Sequence, residues 1–314
     1  TLTFSLTQNF DYIIPPIDRE LLKAELTEER FVRETNKGGN KIYFVNAHNS
    51  PNTMREIGRL REFSFASAGG GTGQEVDIDE MDTSENCYEQ LIVFSERDNE
   101  IIGGYRFIDC GKLDLSDKDN VELSTAHYFN FSQRFVDHYL PHTVELGRSW
   151  IQPRYQPHIN PREGLFALDN LWDGLGAIFV NHSDLRYFFG KVTMYPNYNT
   201  EARDAVLHFM DCLFPDNDNL VVPKQPLLPT TDVKQLDELF KGKSYKDGMI
   251  ALNAFAKDRE ERVPPLIKNY MSLSPTMKSF GTAINQDFGD VEETAILIIV
   301  ADIYDSKKER YTSY

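Results

Sequence analysis

Runs of apolar residues separated by polar turns predict a series of β-strands. Lys41–Val45 is rich in β-branched and aromatic residues and follows a Gly-Gly-Asn turn, as strands often do. Residues 90–95 and 101–108 flank the polar turn Arg97-Asp98-Asn99, a pattern that predicts an antiparallel hairpin. Apolar residues in alternation or in short runs predict two further strands, at Thr143–Ile151 and at residues 187–195.

Capping residues and helical periodicity predict helices before the hairpin. Residues 18–26 form a short helix with Asp18 as its N-cap, after the break at Pro15 and Pro16. Thr53, with Glu56 three residues later, has the spacing of a capping box and opens a helix that runs to about Phe65. The glycine-rich residues 69–73 then end this helix. We interpret them as a flexible loop, because they lack the strand and helix that flank a phosphate-binding loop.

A longer helix is predicted after the strand at Thr143–Ile151. Asn160, Pro161 and Glu163 supply an N-cap, a first-turn proline and an acidic third residue, which together specify a helix start. Apolar residues then recur at helical spacing along one face, namely Leu168, Leu171, Trp172, Leu175, Ile178 and Phe179. Gly174 and Gly176 within this helix indicate close packing rather than phosphate binding.

The last third of the chain is predicted to be mainly helical. One or two helices lie near residues 232–257, a helix follows Pro264-Pro265, and two strands lie near Phe280 and Ile296. The simplest packing of this order is an α/β fold with one mixed sheet and helices on both faces. We divide the chain into an N-terminal helical extension at 1–40, a core at 41–200, and a C-terminal helical insertion with the final sheet strands at 201–314.

Composition and charge narrow the classes of function. The chain has 314 residues, with 33 Lys and Arg against 49 Asp and Glu, so its net charge is −16. Such an acidic chain is unlike a nucleic-acid-binding protein, which needs a dense basic surface. Three widely spaced cysteines fit a reducing compartment. Neither a signal peptide nor an apolar run of about 20 residues is visible, so we expect a cytoplasmic protein.

Four short motifs, taken in order, resemble a known family. They are the LREFSF segment with Arg61 and Phe65, the acidic stretch 75–82, Gly-Gly-Tyr-Arg ending at Arg106, and Glu-Leu-Gly-Arg from Glu145 to Arg148. This set is similar to the acyl-carrier-protein-dependent branch of the GNAT superfamily. That branch holds acyl-homoserine-lactone synthases and the ornithine- or glycine-lipid N-acyltransferases, often labelled hemolysin-like.

The C-terminal segments 264–271 and 286–289 resemble the lipid N-acyltransferase group in particular, and the likeness covers roughly residues 44–300. The tryptophan that lactone synthases carry after the Arg/Phe pair is absent here, where the glycine run stands. The resemblance implies the GNAT fold, an acyl-CoA N-acyltransferase-like mixed central sheet with a C-terminal helical embellishment. It also favours an amino-lipid enzyme over a lactone synthase.

The acidic stretch has three interpretations. Its carboxylates could form a pocket wall for an ammonium-bearing acceptor, because opposite charges a few ångströms apart hold a cation. They could also form a solvated loop, whereas a calcium loop fails because the required glycine and final glutamate are missing. The resemblance favours Asp79 and Asp82 over Asp77, and it implies substrate contacts for Arg61 and Phe65 as well.

Glu145, Arg148 and Arg106 are the predicted catalytic residues. Glu145 and Arg148 are three apart, so they point to opposite faces of the sheet unless a β-bulge intervenes. A structural ion pair is one interpretation of these charges. In the other, an arginine fork holds the acceptor carboxylate, and Glu145 orients or deprotonates the amine. A base is needed because an amine with a pKa of ~10.4 is almost fully charged at neutral pH.

The loop at 152–160 and the helix after it occupy the position where GNAT enzymes bind the donor phosphate. Arg154 and Arg162 could contact a phosphodiester there, or could be solvated side chains of an ordinary capped helix. Backbone N–H groups of the strand before the loop would stabilise the oxyanion, which makes Ser149, Trp150 and Ile151 donor-binding residues as well. Lys191 could join the two arginines in a basic patch for an acidic carrier protein.

Aromatic residues could line a tunnel for the acyl chain or could be plain core. They are Tyr187, Phe188 and Phe189, with Phe129, Phe131 and Phe135. A tunnel would matter energetically, because each buried CH₂ contributes about 0.8 kcal/mol.

The functional hypothesis is an N-acyltransferase that moves a (3-hydroxy)fatty acyl group to the amine of a small amino acid, glycine- or ornithine-like, for amino-lipid synthesis. The donor is acyl-phosphopantetheine on acyl carrier protein, or acyl-CoA. No permanent cofactor, no metal and no nucleic acid are expected, since the histidines lack zinc-site spacing. Peripheral contact with the inner face of the membrane is a further expectation.

Several alternatives remain open on the sequence alone. An acyl-homoserine-lactone-type synthase and a CoA-dependent N-acetyltransferase share the fold, and a catalytically inactive domain that binds carrier protein is a third alternative. A membrane-active hemolysin-like protein belongs to another class, and it would need an amphipathic or spanning segment.

Overall fold

The computed structural model describes residues 9–312. Residues 1–8 and residues 313 and 314 lie outside the described residues. The expectation that no signal peptide is present falls partly on residues 1–8. No helix between residues 9 and 312 has the length and apolar character needed to traverse a bilayer.

Eight strands form one sheet, and its order along the sheet is β1-β2-β3-β4-β6-β7-β10-β9. Their bounds are β1 Phe31–Glu34, β2 Lys41–Val45, β3 Glu89–Ser95, β4 Glu100–Asp109, β6 Thr143–Ile151, β7 Tyr187–Met194, β9 Lys278–Asn285 and β10 Val291–Ile299. Two short strands, β5 Phe129–Phe131 and β8 Val221–Pro223, form a separate antiparallel pair. Among the neighbours in the large sheet, β6 and β7 run parallel and the others antiparallel.

Ten helices accompany the strands in the described part of the chain. They are α1 Arg19–Glu25, α2 Pro51–Ala68, α3 Glu80–Thr83, α4 Gln133–His138, α5 Pro161–Asn181, α6 Thr200–Leu213, α7 Val233–Phe240, α8 Tyr245–Lys257, α9 Pro265–Met271 and α10 Asp305–Thr312. The predicted α/β fold with one mixed sheet is confirmed.

Successive side chains along a strand point to opposite faces of the sheet, and both faces are buried. On β3, Leu91 and Val93 belong to the core cluster that includes α5, whereas Ile92 and Phe94 belong to the cluster that includes α2. This period of two is the one expected of a strand buried on both faces. Helices therefore pack on both faces, as the sequence order predicts.

The start of α2 differs from its prediction. The N-cap is Ser50 with Pro51 in the first turn, and Thr53 does not cap the helix. The hydroxyl of Thr53 instead donates to the carboxylate of Glu25, 2.7 Å away, and the Thr53 backbone N–H donates to the same oxygen. A carboxylate from α1 thus satisfies the free N–H groups that a local capping box would otherwise serve.

The glycine run is an ordered turn, which corrects its interpretation as a flexible loop. The buried carboxylate of Glu62 accepts hydrogen bonds from the backbone N–H groups of Thr72 and Gly73, both at 2.8 Å, and from the Thr72 hydroxyl at 2.7 Å. Gly69, with a φ of 98°, ends α2 in the left-handed conformation that glycine adopts without strain.

Two smaller predictions are also corrected. Phe179, predicted on the buried face of α5, is exposed, while Ile178 beside it is fully buried. The region at 1–40 is not only helical, because β1 lies within it and pairs with β2. The division into three regions stays a prediction, and the large sheet takes strands from all three of them.

Candidate active site

A cleft opens where β6 and β7 stop pairing. The two parallel strands pair from Thr143 and Tyr187 to Leu146 and Gly190, and their pairing ends there although both strands continue. A cavity of about 300 Å³ lies beyond this point. It is lined by Gly147, Arg148 and Ser149 of β6, by Lys191, Thr193 and Met194 of β7, and by residues of α2, β10 and the segment leading into α9.

A β-bulge in β6 shapes one wall of the cleft. Gly104 and Arg106 of β4 pair with Trp150 and Gly147, so β6 contains one extra residue between the two pairs. Arg148 lies in this bulge with a φ of 50°, a left-handed conformation that non-glycine residues rarely adopt. Because β7 no longer pairs here, the backbone of residues 147–149 faces the cleft without a partner strand on that side.

The cleft continues into two narrower apolar pockets of about 20 Å³ each. These share Ser149 and Leu266 with the main cavity. Their other lining residues are mostly aliphatic or aromatic and include Leu146, Leu171, Trp172, Phe188, Ile296 and Ile298. Helix α9 contributes Leu266 and Tyr270 to both pockets. The cleft thus has a polar end at the bulge and an apolar end at α9.

A buried ionic cluster supports the bulge from the α2 side. Nε of Arg61 donates to Asp77 at 3.0 Å, and its Nη1 donates to Asp82 at 3.1 Å. The guanidinium of Arg106 makes a two-pronged contact with Asp79, at 2.6 and 3.0 Å. Nε of Arg148 lies 3.0 Å from Asp77, so the bulge is tied to the same cluster.

Charge pairing controls the protonation of this cluster. Burial alone would raise the pKa of Asp82, but the guanidinium groups of Arg61 and Arg106 outweigh it and hold that pKa below its ordinary value. At Asp77 burial again raises the pKa, but the charges of Arg148 and Arg61 outweigh it, so the pKa of Asp77 is also lowered. Both carboxylates are therefore ionised at neutral pH.

A second ion pair lies on the opposite wall, between β7 and β10. Nζ of Lys191 is 3.0 Å from Oε2 of Glu293, and both side chains line the cleft. Asn285 of β9 donates to the same Glu293 oxygen at 3.2 Å. Lys191 also contacts the backbone oxygen and the hydroxyl of Ser124, each at 3.4 Å.

The match to a family model begins on α2 and ends on the loop after β6. Residues 60–160 match the model of the acetyltransferase (GNAT) domain. Two curated proteins, each named glycine N(alpha)-acyltransferase, come from Phocaeicola vulgatus and Bacteroides thetaiotaomicron. Each is 50% identical over 299 residues, which cover 95% of this chain and 92% and 89% of the two relatives. The chain belongs to the GNAT N-acyltransferases. No solved structure matches it.

In this N-acyltransferase only some of the predicted acceptor residues reach the cleft. Phe65 and Arg148 line it. Arg61 and Asp82 do not, because both are fully buried in the ionic cluster, so the structure corrects their predicted contact with substrate. Asp79 is partly exposed, but Arg106 occupies both of its carboxylate oxygens.

Glu145 and Arg106, predicted as catalytic, also lie beneath the cleft rather than in it. The Glu145 carboxylate accepts a hydrogen bond of 2.6 Å from the Tyr88 hydroxyl and a longer one of 3.4 Å from the Thr125 backbone. It is 1% exposed and does not line the cavity. Arg106 is buried against the Tyr88 ring, 5.0 Å from its centroid. Because of the bulge, Arg148 lies on the same face of the sheet as Glu145 and Arg106, which is the arrangement expected if a bulge intervenes.

The predicted donor residues divide in the same way. Ser149 lines the cleft, whereas Trp150 is buried in the core cluster with α2, and the Ile151 carbonyl accepts from Gln156. Arg154 is exposed and paired with Glu100. Arg162 lines a different cavity of about 270 Å³, beside the turn at Gly38 and Gly39, which shares no lining residue with the cleft. The asparagine cap at the start of α5 is confirmed.

Two further predictions are settled by burial. Lys191 points into the cleft and is almost fully buried, so it is not part of a basic docking patch. Phe188 and Phe189 line the apolar pocket, but Phe129, Phe131 and Phe135 belong to a core cluster and line none of the cleft cavities.

Sequence reasoning missed Glu293 and Tyr195 altogether. Both line the cleft, yet no spacing motif marks them, because Glu293 meets Lys191 through pairing of β10 with β7. The only available signal was an acidic pair, Glu292-Glu293, at the start of an otherwise apolar strand.

Proposed function

We propose that this GNAT enzyme transfers a fatty acyl group from an acyl-phosphopantetheine donor to the amine of glycine, and that the product serves amino-lipid synthesis. The observation that carries the proposal is the apolar extension of the cleft beneath α9. An acetyl group would not need these pockets. A fatty chain gains about 0.8 kcal/mol for each CH₂ that it buries among their apolar side chains, which must move apart to admit it because each pocket has a volume of about 20 Å³. Glycine as the acceptor is supported by the names of the two relatives.

The donor thioester would lie between β6 and β7, with its chain toward Leu266 and Tyr270. Its carbonyl oxygen would then approach the backbone of residues 147–149, which has no partner strand on that side. Backbone N–H groups held by a strained bulge are already in place when negative charge develops on the oxygen. Donors of this kind contribute on the order of 3 kcal/mol to transition-state stabilisation.

Arg148 is the candidate for holding the acceptor carboxylate. It lines the cleft, and its guanidinium is fixed by Asp77 on one side and by the ring of Phe288 on the other. A planar guanidinium suits two-pronged contact with a carboxylate. The amine nitrogen then attacks the thioester carbon, a C–N bond forms, and the C–S bond breaks to release the thiol.

Tyr195 is the candidate for stabilising the departing sulfur with a hydrogen bond. It lines the same cavity, and burial raises its pKa to about 12. The hydroxyl therefore keeps its proton at neutral pH and can donate a hydrogen bond to the leaving thiolate. The sulfur then takes its proton from solvent, because a free thiol, with a pKa of ~8.5, is mostly protonated at neutral pH. No such group was identified from the sequence.

Acyl carrier protein is the proposed source of the phosphopantetheine arm. The loop after β6 lacks the glycine-rich sequence that binds the pyrophosphate of CoA in GNAT enzymes, and Arg154 within it is engaged by Glu100. A single phosphodiester needs fewer ligands than a pyrophosphate does. The amphiphilic product supports release at the inner face of the membrane.

The test is an assay with purified protein and mass-spectrometric detection. Long-chain acyl carrier protein, long-chain acyl-CoA and acetyl-CoA are each supplied with glycine, ornithine or serine. We expect N-acylglycine from the long-chain donors, with the carrier protein as the better donor and acetyl-CoA poor. Absence of any N-acyl amino acid, or a lactone formed only with S-adenosylmethionine, would overturn the proposal.

A further inference from the structure

Glu293 is a buried carboxylate that faces a reaction cleft. Only 5% of its side chain is exposed, yet it lines the cavity beside Arg148 and Tyr195. Burying an ionised carboxylate is costly unless it is paired, and here Lys191 and Asn285 provide the compensation. Both contacts are made with Oε2, so Oε1 stays available to a ligand in the cleft.

The position of Glu293 complements that of Arg148. Arg148 comes from the bulge of β6, and Glu293 comes from β10 across the cleft, so a cation and an anion face one cavity from different walls. An amino-acid zwitterion has a carboxylate at one end and an ammonium group at the other. Among the described residues that line this cavity, Glu293 carries the one carboxylate, so a zwitterion whose carboxylate is held by Arg148 can present its ammonium group to Glu293.

We propose that Glu293 is the catalytic residue that binds the acceptor ammonium group and takes up its proton, and that Lys191 is a positioning residue that orients Glu293. This inference rests on the proposed function. The nitrogen gives up one proton before attack, directly or through a water, and a second when it bears positive charge in the tetrahedral intermediate. One proton reaches the sulfur through solvent, while Tyr195 donates a hydrogen bond to that sulfur, and the other leaves as H⁺.

The surroundings of Glu145 make it a poor alternative for this step. Its carboxylate is bound by Tyr88 and by the Thr125 backbone, and it does not line the cavity. The Ser124 backbone N–H donates to the Tyr88 hydroxyl at 2.9 Å, and the Ser124 carbonyl oxygen and hydroxyl contact Lys191. Tyr88 and Ser124 therefore lie between Glu145 and the Lys191–Glu293 pair.

The primary test is Glu293→Gln, which keeps the shape and removes the charge. We expect kcat/KM for glycine to fall on the order of 10²–10⁴-fold, with partial recovery in Glu293→Asp. The matched control is Glu292→Gln. Glu292 is the neighbouring residue on β10, points to the other face of the sheet and pairs with Arg203 on α6. Activity close to that of the unmodified enzyme is expected for this control.

A change of acceptor separates proton uptake from a structural role. Aminooxyacetate is close to glycine in size and keeps the carboxylate, but its amine is uncharged at neutral pH. If Glu293 takes up the proton, the defect of Glu293→Gln shrinks at least tenfold with this acceptor. An equal defect with both acceptors, while circular dichroism shows an intact fold, overturns the assignment.

The double variant Lys191→Met/Glu293→Gln tests the pair itself. A purely structural ion pair is often replaceable by two uncharged residues, so activity would then return toward normal. We expect the double variant to stay as impaired as Glu293→Gln. An unmodified enzyme that makes no N-acylglycine refutes the proposed function, whereas an active enzyme with an unaffected Glu293→Gln variant refutes this inference alone.

Discussion

The guanidinium carbon of Arg148 lies 4.0 Å from the centroid of the Phe288 ring. Phe288 belongs to the tight turn between β9 and β10, whereas Arg148 belongs to the bulge of β6, so this contact spans the cleft. It gives a physical role to the Gln-Asp-Phe-Gly segment at 286–289, one of the stretches on which the family resemblance rests. The turn holds the arginine that faces the cleft.

Replacing Phe288 by leucine should therefore impair acceptor binding more than folding. The aliphatic side chain keeps much of the packing but loses the cation–π contact, which is worth about 0.5–2 kcal/mol. We expect KM for glycine to rise several-fold, KM for the acyl donor to stay unchanged, and the thermal midpoint to fall only slightly. Steady-state kinetics with each substrate varied in turn check this, and a rise in donor KM alone would contradict it.

Arg148→Lys should weaken glycine binding even though the substitution keeps the positive charge. Lysine cannot reproduce the planar contact with a carboxylate, nor can it stack on Phe288 in the same way. KM for glycine is expected to rise tenfold or more, equivalent to at least ~1.4 kcal/mol of binding free energy. Arg186→Lys, at an exposed position where the arginine contacts Asp184 loosely, is the control and should be silent.

Leu266→Trp is expected to shorten the preferred acyl chain. Leu266 lines the main cavity and both apolar pockets, so a bulkier side chain blocks the route between them. Activity with long-chain donors should drop, while that with short-chain donors is retained or improved. A donor series of increasing chain length measures this. Ile250→Trp, at an exposed position on α8, should leave the chain-length profile unchanged.

Glu62→Gln should destabilise the turn at 69–73. The Glu62 carboxylate accepts two backbone hydrogen bonds, one from the Thr72 hydroxyl and one from the Tyr12 hydroxyl, and an amide cannot accept all four equally well. A loss of about 1–3 kcal/mol in the free energy of unfolding is expected. Hydrogen exchange at Thr72 and Gly73 should rise, which urea unfolding and exchange mass spectrometry measure. Glu75→Gln, at an exposed carboxylate, is the matched control.

Acid should unfold the enzyme through the buried ionic cluster. Asp77 and Asp82 have pKa values below those of the unfolded chain, so their stabilising effect is present above the unfolded pKa of ~3.9. It is lost as the pH falls below that value and through their folded pKa values. Asp82→Asn should lower stability at pH 7 and flatten its dependence on pH in the acid range. Unchanged acid dependence in this variant would exclude Asp82 as a contributor.

Local patterns were sufficient to predict the main elements. Lys41–Val45 and Thr143–Ile151 are strands with the predicted bounds, because runs of β-forming residues between turn residues leave little choice of register. The asparagine cap of α5 is likewise encoded within four residues. Thr53 failed as a cap for the opposite reason. Its partner Glu25 is 28 residues away, and no local rule contains it.

The candidate site was predicted only where a motif lies beside the cleft. Arg148, Ser149 and Phe65 line the cleft, and their contacts with substrate stay predictions. Burial decided the rest. Arg61 and Asp82 compensate each other's charge inside the protein, and residue type alone cannot distinguish such a pair from a ligand-binding pair. Glu293 was not identified from the sequence because its position in the cleft depends on the pairing of β10 with β7, which are distant in the chain.

The short parallel contact between β6 and β7 has a mechanical consequence. In the described part of the chain, β6 pairs with β7 only from Thr143 to Leu146, and within the sheet this pairing alone links the strand that carries Arg148 to the strands on the Glu293 side. The separation of the two charged groups therefore depends on strand pairing at the base of the cleft, and the last paired residue, Leu146, also lines the apolar pockets. Substitutions at Thr143 or Val144, which line none of these cavities, are expected to change the width of the cleft while leaving Arg148 and Glu293 in place.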